Sequence, residues 1–265
     1  MNRALEVPKE WLSVVGEIAK FAGRDFGEIF SGQVFKFSGE ALRQCGVLIL
    51  GSALTIWTLM FILGLTCGIE GAYFNRSTGA PAYAGVFAAW CDLREVMPYG
   101  FGYMMSAKVG TGLVAEIGAM QINDEVDALE VMGISSMTFL VSTRLIAAML
   151  TLPFMYLAGI GVGFFASYIA VVHQIGEVSS GSFFMIFWVF QNPPDVIYSV
   201  LKAFIMGIAI VIVGTYYGYT AGGGPVGVGT ATAKSMVLNL VLVHLIGMLG
   251  TQLFWGANPR APIGG

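Results

Sequence analysis

Residues 44–69 read QCGVLILGSALTIWTLMFILGLTCGI, twenty-six positions without a single Asp, Glu, Lys or Arg. About 18 consecutive apolar residues suffice for a helix that crosses a bilayer, so this stretch alone decides the class of the protein. Three further runs, 145–172, 203–233 and 235–259, are equally free of charge, and a fifth, 96–115, is interrupted only by Lys108. Of the 265 residues, 56% are hydrophobic and 11% charged, where an average soluble domain is roughly 25% charged. The expectation is an all-α, polytopic membrane protein with about five transmembrane helices, near 46–67, 96–115, 145–172, 197–217 and 235–256.

Ahead of the first run, residues 1–44 read as amphipathic interfacial helices. In 10–24, Trp11, Val14, Val15, Ile18 and Ala22 fall on one helical face, with Glu10, Ser13, Glu17, Lys20 and Arg24 on the other. A second segment, 25–43, sets Phe26, Ile29, Phe30 and Phe37 against Asp25, Glu28, Lys36 and Arg43. Such helices are too polar to span but suited to lie along a membrane surface. No secretory leader pattern is visible in them. Arg3, Lys9, Lys20, Arg24, Lys36 and Arg43 all precede the first span, which argues for a cytoplasmic N-terminus. Alternation then puts 68–95 outside, 116–144 inside, 173–195 outside and 218–234 inside. The outer segments carry Arg76 and Arg94, with Lys202 and Arg260 near outer helix ends. The apolar stretch 178–191 is too short to cross and reads as a helix at the outer interface, closed by Asn192-Pro193-Pro194.

Between the second and third runs stands AEIGAMQINDEVDALEVMG, 115–133, with five carboxylates in fifteen residues and no basic residue. On a helix over 122–132, Ile122, Val126, Leu129 and Met132 share one arc. Asp124, Asp127 and Glu130 lie opposite, and Glu125 sits at the edge. Asn123 is a suitable N-cap, acidic residues suit the first turn, and Gly133 is a natural stop. An acidic helix at the cytoplasmic leaflet is repelled by anionic headgroups; a basic groove with an apolar floor on another protein would hold it better. The alternative is a solvated acidic loop, which does not need the apolar arc.

The stretch 97–148, MPYGFGYMMSAKVGTGLVAEIGAMQINDEVDALEVMGISSMTFLVSTRLIAA, resembles the signature region of the MlaE/YrbE permeases. These are membrane subunits of ATP-driven lipid transporters that work with MCE-domain proteins. With YYGYTAGGGPVGVGTATAKSM at 216–236 and VSTR at 141–144, the chain looks most like the B-type YrbE subunit of actinobacterial Mce systems. The resemblance implies a permease domain over 45–265, not itself an enzyme, in the plasma (inner) membrane. The acidic segment would be the coupling helix that seats in a cytoplasmic ABC ATPase dimer, with Glu116, Ile122, Asp124, Glu125, Val126, Asp127, Leu129 and Glu130 making or framing the contact. Val126 and Leu129 would fill its floor. Partners implied are a paralogous A-type permease or a second identical copy, MCE-domain proteins outside, and a lipid substrate; ATP and Mg would bind the ATPase and no cofactor this chain. The family commonly has Gly-Arg where this chain has Ala107-Lys108, Pro-Arg where it has Thr143-Arg144, and a Pro near Ser136. Lysine keeps the charge but not the planar fork of arginine. Lys108, Glu116 and Arg144 are candidates for a polar network, against snorkelling of Lys108 to an interface.

Other features weigh less. AGGGPVGVG, 221–229, lacks the Gly-Lys-Ser/Thr ending of a phosphate loop and reads as a tight inner turn. Gly102, Ser106 and Gly110, and likewise Gly159 and Gly163, allow close helix approach, either within one subunit or at a dimer seam. Asp195 and Lys202 are seven residues apart on one face and could pair. Cys67 and Cys91 share an outer segment, either bonded or as two free thiols. His173 and His244 stand alone, with no metal or catalytic motif around them. A net charge of −3 and no basic cluster with interleaved aromatics give no reason to expect nucleic acid. Scarce mid-span charge argues against the rival readings of an ion-coupled carrier; a non-transporting membrane anchor is the other rival.

Overall fold

In the computed structural model, residues 3–258 are described, with side chains from Ser13 onward. Arg3, Lys9, Glu10, Trp11 and Arg260 of the sequence reading lie outside the described side chains. Among the described residues the chain is helical throughout, with turns between helices and no strand. We number the helices α1 (Arg3–Phe30), α2 (Ser38–Ser77), α3 (85–122), α4 (Glu125–Val131), α5 (Met137–Ile175), α6 (Ser180–Phe190), α7 (Pro193–Tyr219) and α8 (Gly224–Trp255). Runs of α3 at Ala88–Val96 and Met105–Gly110, and both ends of α5, are wound wider as π-helix.

Four stretches are long and apolar enough to cross a membrane: Gln33–Ser77, Met137–Ile175, Pro193–Tyr219 and Gly224–Trp255. The fifth predicted run, 96–115, lies within α3, which is more polar than the others for a reason its packing makes clear. Met97, Phe101, Met105, Val114 and Ile117 are all 0% exposed. The helix threads between α2, α5, α7 and α8, so its environment is protein rather than lipid. It can therefore carry Asp92 and Arg94 buried where a lipid-facing helix could not, while Lys108 and Glu116 lie on its exposed side.

Small residues set the closest approaches. A Cβ on Gly64 of α2 would stand 2.2 Å from the Gly163 carbonyl oxygen of α5, and one on Gly159 would meet Met60 Sδ at 2.2 Å. Gly102 and Gly110 abut Val243 and Asn239 of α8. Both four-residue series thus serve packing inside the subunit. The turn between α7 and α8 needs glycine: Gly223 and Gly224 have φ of 79° and 71°, a region costly for other residues.

The N-terminal reading requires correction. Residues 25–43 do not form a second interfacial helix. Asp25–Phe30 complete α1, Gly32 ends it in the left-handed conformation (φ 77°), a 3₁₀ turn follows at Gln33–Phe37, and Ser38–Arg43 begin α2. α1 is fastened to the bundle by three carboxylates that accept from hydroxyls: Glu17 from Tyr216 (2.7 Å), Glu28 from Thr138 (3.1 Å) and Asp25 from Ser142. Phe21 lies edge-on to Tyr216 at 5.5 Å between centroids.

Candidate functional site

The acidic segment folds as α4, shorter than the sequence suggested. Asp124, not Asn123, stands at its start, with φ 58°, the one positive φ outside glycine among the described residues. Aspartate tolerates that region better than most side chains. The predicted stop at Gly133 (φ 75°) has the expected geometry: the Gly133 N–H donates to the Glu130 carbonyl at 2.9 Å and the Ile134 N–H to that of Leu129 at 3.0 Å. This is the Schellman pattern that satisfies helix-end carbonyls.

The two faces of α4 separate cleanly. Val126 is 3% exposed and packs with Phe21, Leu140 and Val141; Leu129 is half-buried against the same cluster. Val126 is therefore covered by this chain, and Leu129 in part. Of the expected arc, Val126 is buried and Ile122 and Leu129 are half-buried against this chain, whereas Met132 is turned outward. Asp124, Glu125 and Asp127 are exposed, and beside them Val131 and Met132 stand 88% and 65% exposed. Glu130 points back to its own subunit. It accepts from the Ser136 N–H at 2.8 Å and from Ser136 Oγ, which lies 2.8 Å from Tyr219 Oη. Those bonds favour the ionised form and hold the Glu130 carboxyl below its ordinary range. Ile122 is half-buried at the end of α3.

Glu116 lies nine residues before the start of α4 and is engaged elsewhere. Arg144, 5% exposed, donates to it at 2.6 Å and to the Leu140 carbonyl at 2.7 Å. Lys108 reaches Thr55 Oγ1 at 3.4 Å rather than Glu116. All three line one cleft of about 180 Å³ between α2, α3 and α5, together with Gln44 and Ser52.

The largest polar constellation escaped the sequence reading. Asp195 and Lys202 do not pair with each other. Asp195, 1% exposed, accepts from Arg94 Nη2 at 2.7 Å and from Trp255 Nε1 at 2.9 Å. Lys202, equally buried, donates to Glu95 at 3.0 Å, Thr251 at 2.7 Å and the Arg94 carbonyl at 2.9 Å. Trp90 lies under the Arg94 guanidinium at 4.4 Å. Arg94 had been assigned to an outer loop, but it stands inside α3 and is 9% exposed. The usable signal was the seven-residue spacing of Asp195 and Lys202, which presents two opposite charges to one neighbour; the adjacent Arg94-Glu95 answers them in kind.

A probable ABC transporter permease of Rickettsia bellii is 34% identical over 162 residues, 61% of this chain and 62% of the relative. The intermembrane phospholipid transport system permease protein MlaE of Haemophilus influenzae is 25% identical over 230 residues, 85% of this chain and 87% of the relative. Protein TRIGALACTOSYLDIACYLGLYCEROL 1, chloroplastic, of Arabidopsis thaliana is 29% identical over 185 residues, 69% and 51%. The chain thus spans a little under two thirds of the Rickettsia relative it matches. The profile of the family Permease MlaE matches residues 41–253. That range runs from the first turn of α2 almost to the end of α8 and takes in the acidic α4, and the chain belongs to the MlaE permease family.

Proposed function

We propose that the chain is the permease subunit of an ATP-driven lipid transporter, gripped by a cytoplasmic ABC ATPase through α4. The observation that carries this is the division of labour on α4. Its buried side is packed on the subunit through Val126, the exposed Glu130 is tied back by its bonds to Ser136, and Asp124, Glu125, Asp127, Val131 and Met132 are offered outward. A solvated loop would not expose two large apolar residues beside three carboxylates and also be anchored beneath. A groove lined by cations, with an apolar pocket for Val131 and Met132, complements that surface. Val131 and Met132 take the role first given to Val126 and Leu129.

In this reading the N-terminus and α4 face the cytoplasm, and ATP and Mg bind the ATPase dimer. A second permease, an A-type paralogue or a second copy, completes an apolar cavity, and MCE-domain proteins dock outside. The relatives named above support a lipid cargo, one of them being called a phospholipid transport permease. The test is purification from detergent of the chain with Glu125 and Asp127 both changed to Lys, beside the unaltered chain. The expected result is loss of the ATPase with the second permease retained; an unaltered chain that brings down no ATPase would overturn the reading.

The buried network of Arg94, Glu95, Asp195 and Lys202 favours a second reading, an ion-coupled carrier. It predicts lipid movement driven by an ion gradient in vesicles that hold no ATPase.

A further inference from the structure

The sulfurs of Cys67 on α2 and Cys91 on α3 lie 3.3 Å apart. We propose that this pair is an intramolecular disulfide site at the outer end of the subunit, an inference that rests on the orientation proposed above.

Three observations carry it. The contact is built by the backbone rather than by chance rotamers. One residue beyond Cys67, a Cβ on Gly68 would come within 3.0 Å of Ser167 of α5; a turn on, one on Gly71 would meet Phe87 of α3 at 2.5 Å. Ser167 also donates to the Gly64 carbonyl and to Asp92, beside Cys91. The two cysteines are thus held where three helices touch, and the sulfurs need to close by only about 1.3 Å to reach a bond of about 2.05 Å. Depth is the second. Cys67 stands at the outer end of the uncharged run 44–69, just before Glu70, and Cys91 is followed by Asp92, Arg94 and Glu95. Both sit at the edge of the apolar zone, with Cys91 half-buried and Cys67 9% exposed. Contrast is the third: Cys45, near the other end of α2, donates from its sulfur to the Ala147 carbonyl, at 3.8 Å.

Outside the cytoplasm, disulfides persist. The Cys91 thiolate attacks one sulfur of a disulfide-bearing oxidant and releases the first thiol. The Cys67 sulfur then attacks the mixed disulfide at Cys91 and releases the second. The two cysteines lose two protons and two electrons, and the oxidant's S–S bond becomes two thiols. The product ties α2 to the turn of α3 that carries Arg94 and Glu95, so these two helices would move as one body.

The test is a tryptic map of the full chain from membranes broken in the presence of N-ethylmaleimide, without reductant. Cleavage at Arg43, Arg76 and Arg94 separates peptide 44–76 from 77–94. A linked pair that parts on reduction, and is absent from Cys67→Ala, is the expected result; Cys67 and Cys91 both carrying the maleimide would overturn the proposal. Orientation is read separately, as labelling of Thr78→Cys in a chain with its three native cysteines changed to Ala, by a membrane-impermeant maleimide added outside intact cells. Labelling without the linked peptides sinks the disulfide and spares the orientation. Linked peptides without labelling do the reverse.

Discussion

Asp25 should make the seating of α1 depend on pH in a way that a single substitution removes. Its carboxyl is 1% exposed, accepts from Ser142 and stands three residues from Glu28. Burial is the dominant influence and pushes the carboxyl from 3.8 up to about 6, with the Ser142 bond opposing and Glu28 adding to the rise. The protonated form is thus favoured when α1 is seated. Stability from this group is fully present below pH 3.8 and is lost as pH rises to about 6, because the released helix gives up the proton more readily. At 1.36 kcal/mol per tenfold, the span from 3.8 to about 6 corresponds to about 3 kcal/mol. Roughly half of it falls between pH 5 and 7.5.

Asp25→Asn keeps an acceptor for Ser142 and cannot ionise. Hydrogen exchange of the amides over 18–28, corrected for intrinsic rates, reads the seating directly. Protection in the unaltered chain should fall about tenfold between pH 5 and 7.5, while Asp25→Asn stays level. At pH 7.5 the variant should be the better protected by roughly a hundredfold, the equivalent of about 3 kcal/mol. Parallel profiles for the two proteins would refute the reasoning, since they would mean that ionised Asp25 suffers no loss on burial.

The outer network should respond unequally to removal of its two ends. Glu95→Gln leaves the buried Lys202 ammonium with neutral partners only and should cost about 2 kcal/mol, less than the ~3–5 kcal/mol of a fully enclosed pair because Glu95 is 38% exposed. Lys202→Met should be near neutral, and melting in detergent separates the two; a larger loss for Lys202→Met would contradict the assignment. Gly64→Ala forces a Cβ to 2.2 Å from the Gly163 carbonyl. The backbone cannot yield cheaply there, so a loss of about 3 kcal/mol in the same melts is expected, whereas Gly46→Ala, with open space around it, should be silent. Glu130→Gln weakens the tie to Ser136 without altering the outward face of α4. The ATPase should still copurify, while the Ser136 amide exchanges several-fold faster; loss of the ATPase would put Glu130 back on the contact surface.

The bundle was legible because lipid imposes a simple requirement: uncharged runs of sufficient length must be helices. The acidic segment was legible at its glycine end, since Gly133 has no competitor for a left-handed stop. What the sequence did not disclose was which surface meets which. An apolar arc such as Val126–Leu129 says that a face is covered, not whether the cover is another protein or Phe21 and Leu140 of the same chain. Charge pairing failed for the same reason. Asp195 and Lys202 share a helix face, and shared faces are where two residues meet a common neighbour rather than each other. The continuity of 25–30 with α1 hung on one residue, Gly32, whose positive φ ends the helix six residues later than the charge pattern implied.

α7 connects the two regions that these residues define. Tyr219 at its C-terminal end contacts Ser136, which also donates to Glu130 of α4, and Asp195 and Lys202 near its N-terminal end hold α3 and α8. From 195 to 219 an unbroken helix rises about 36 Å, more than the ~30 Å hydrocarbon core. Such a rod transmits displacement along its axis with little loss, because each turn is braced by its own hydrogen bonds. α3 has a different character: two of its segments, Ala88–Val96 and Met105–Gly110, are wound as π-helix, as are both ends of α5, a form that interrupts α-helices chiefly at functional sites. If α4 is gripped as proposed above, α7 would carry a displacement as one body, and the widened turns of α3 and α5 are where the bundle would yield. The ion pairs at Arg94 and Glu95 lie on the first widened segment of α3, where a small rotation would change their partners.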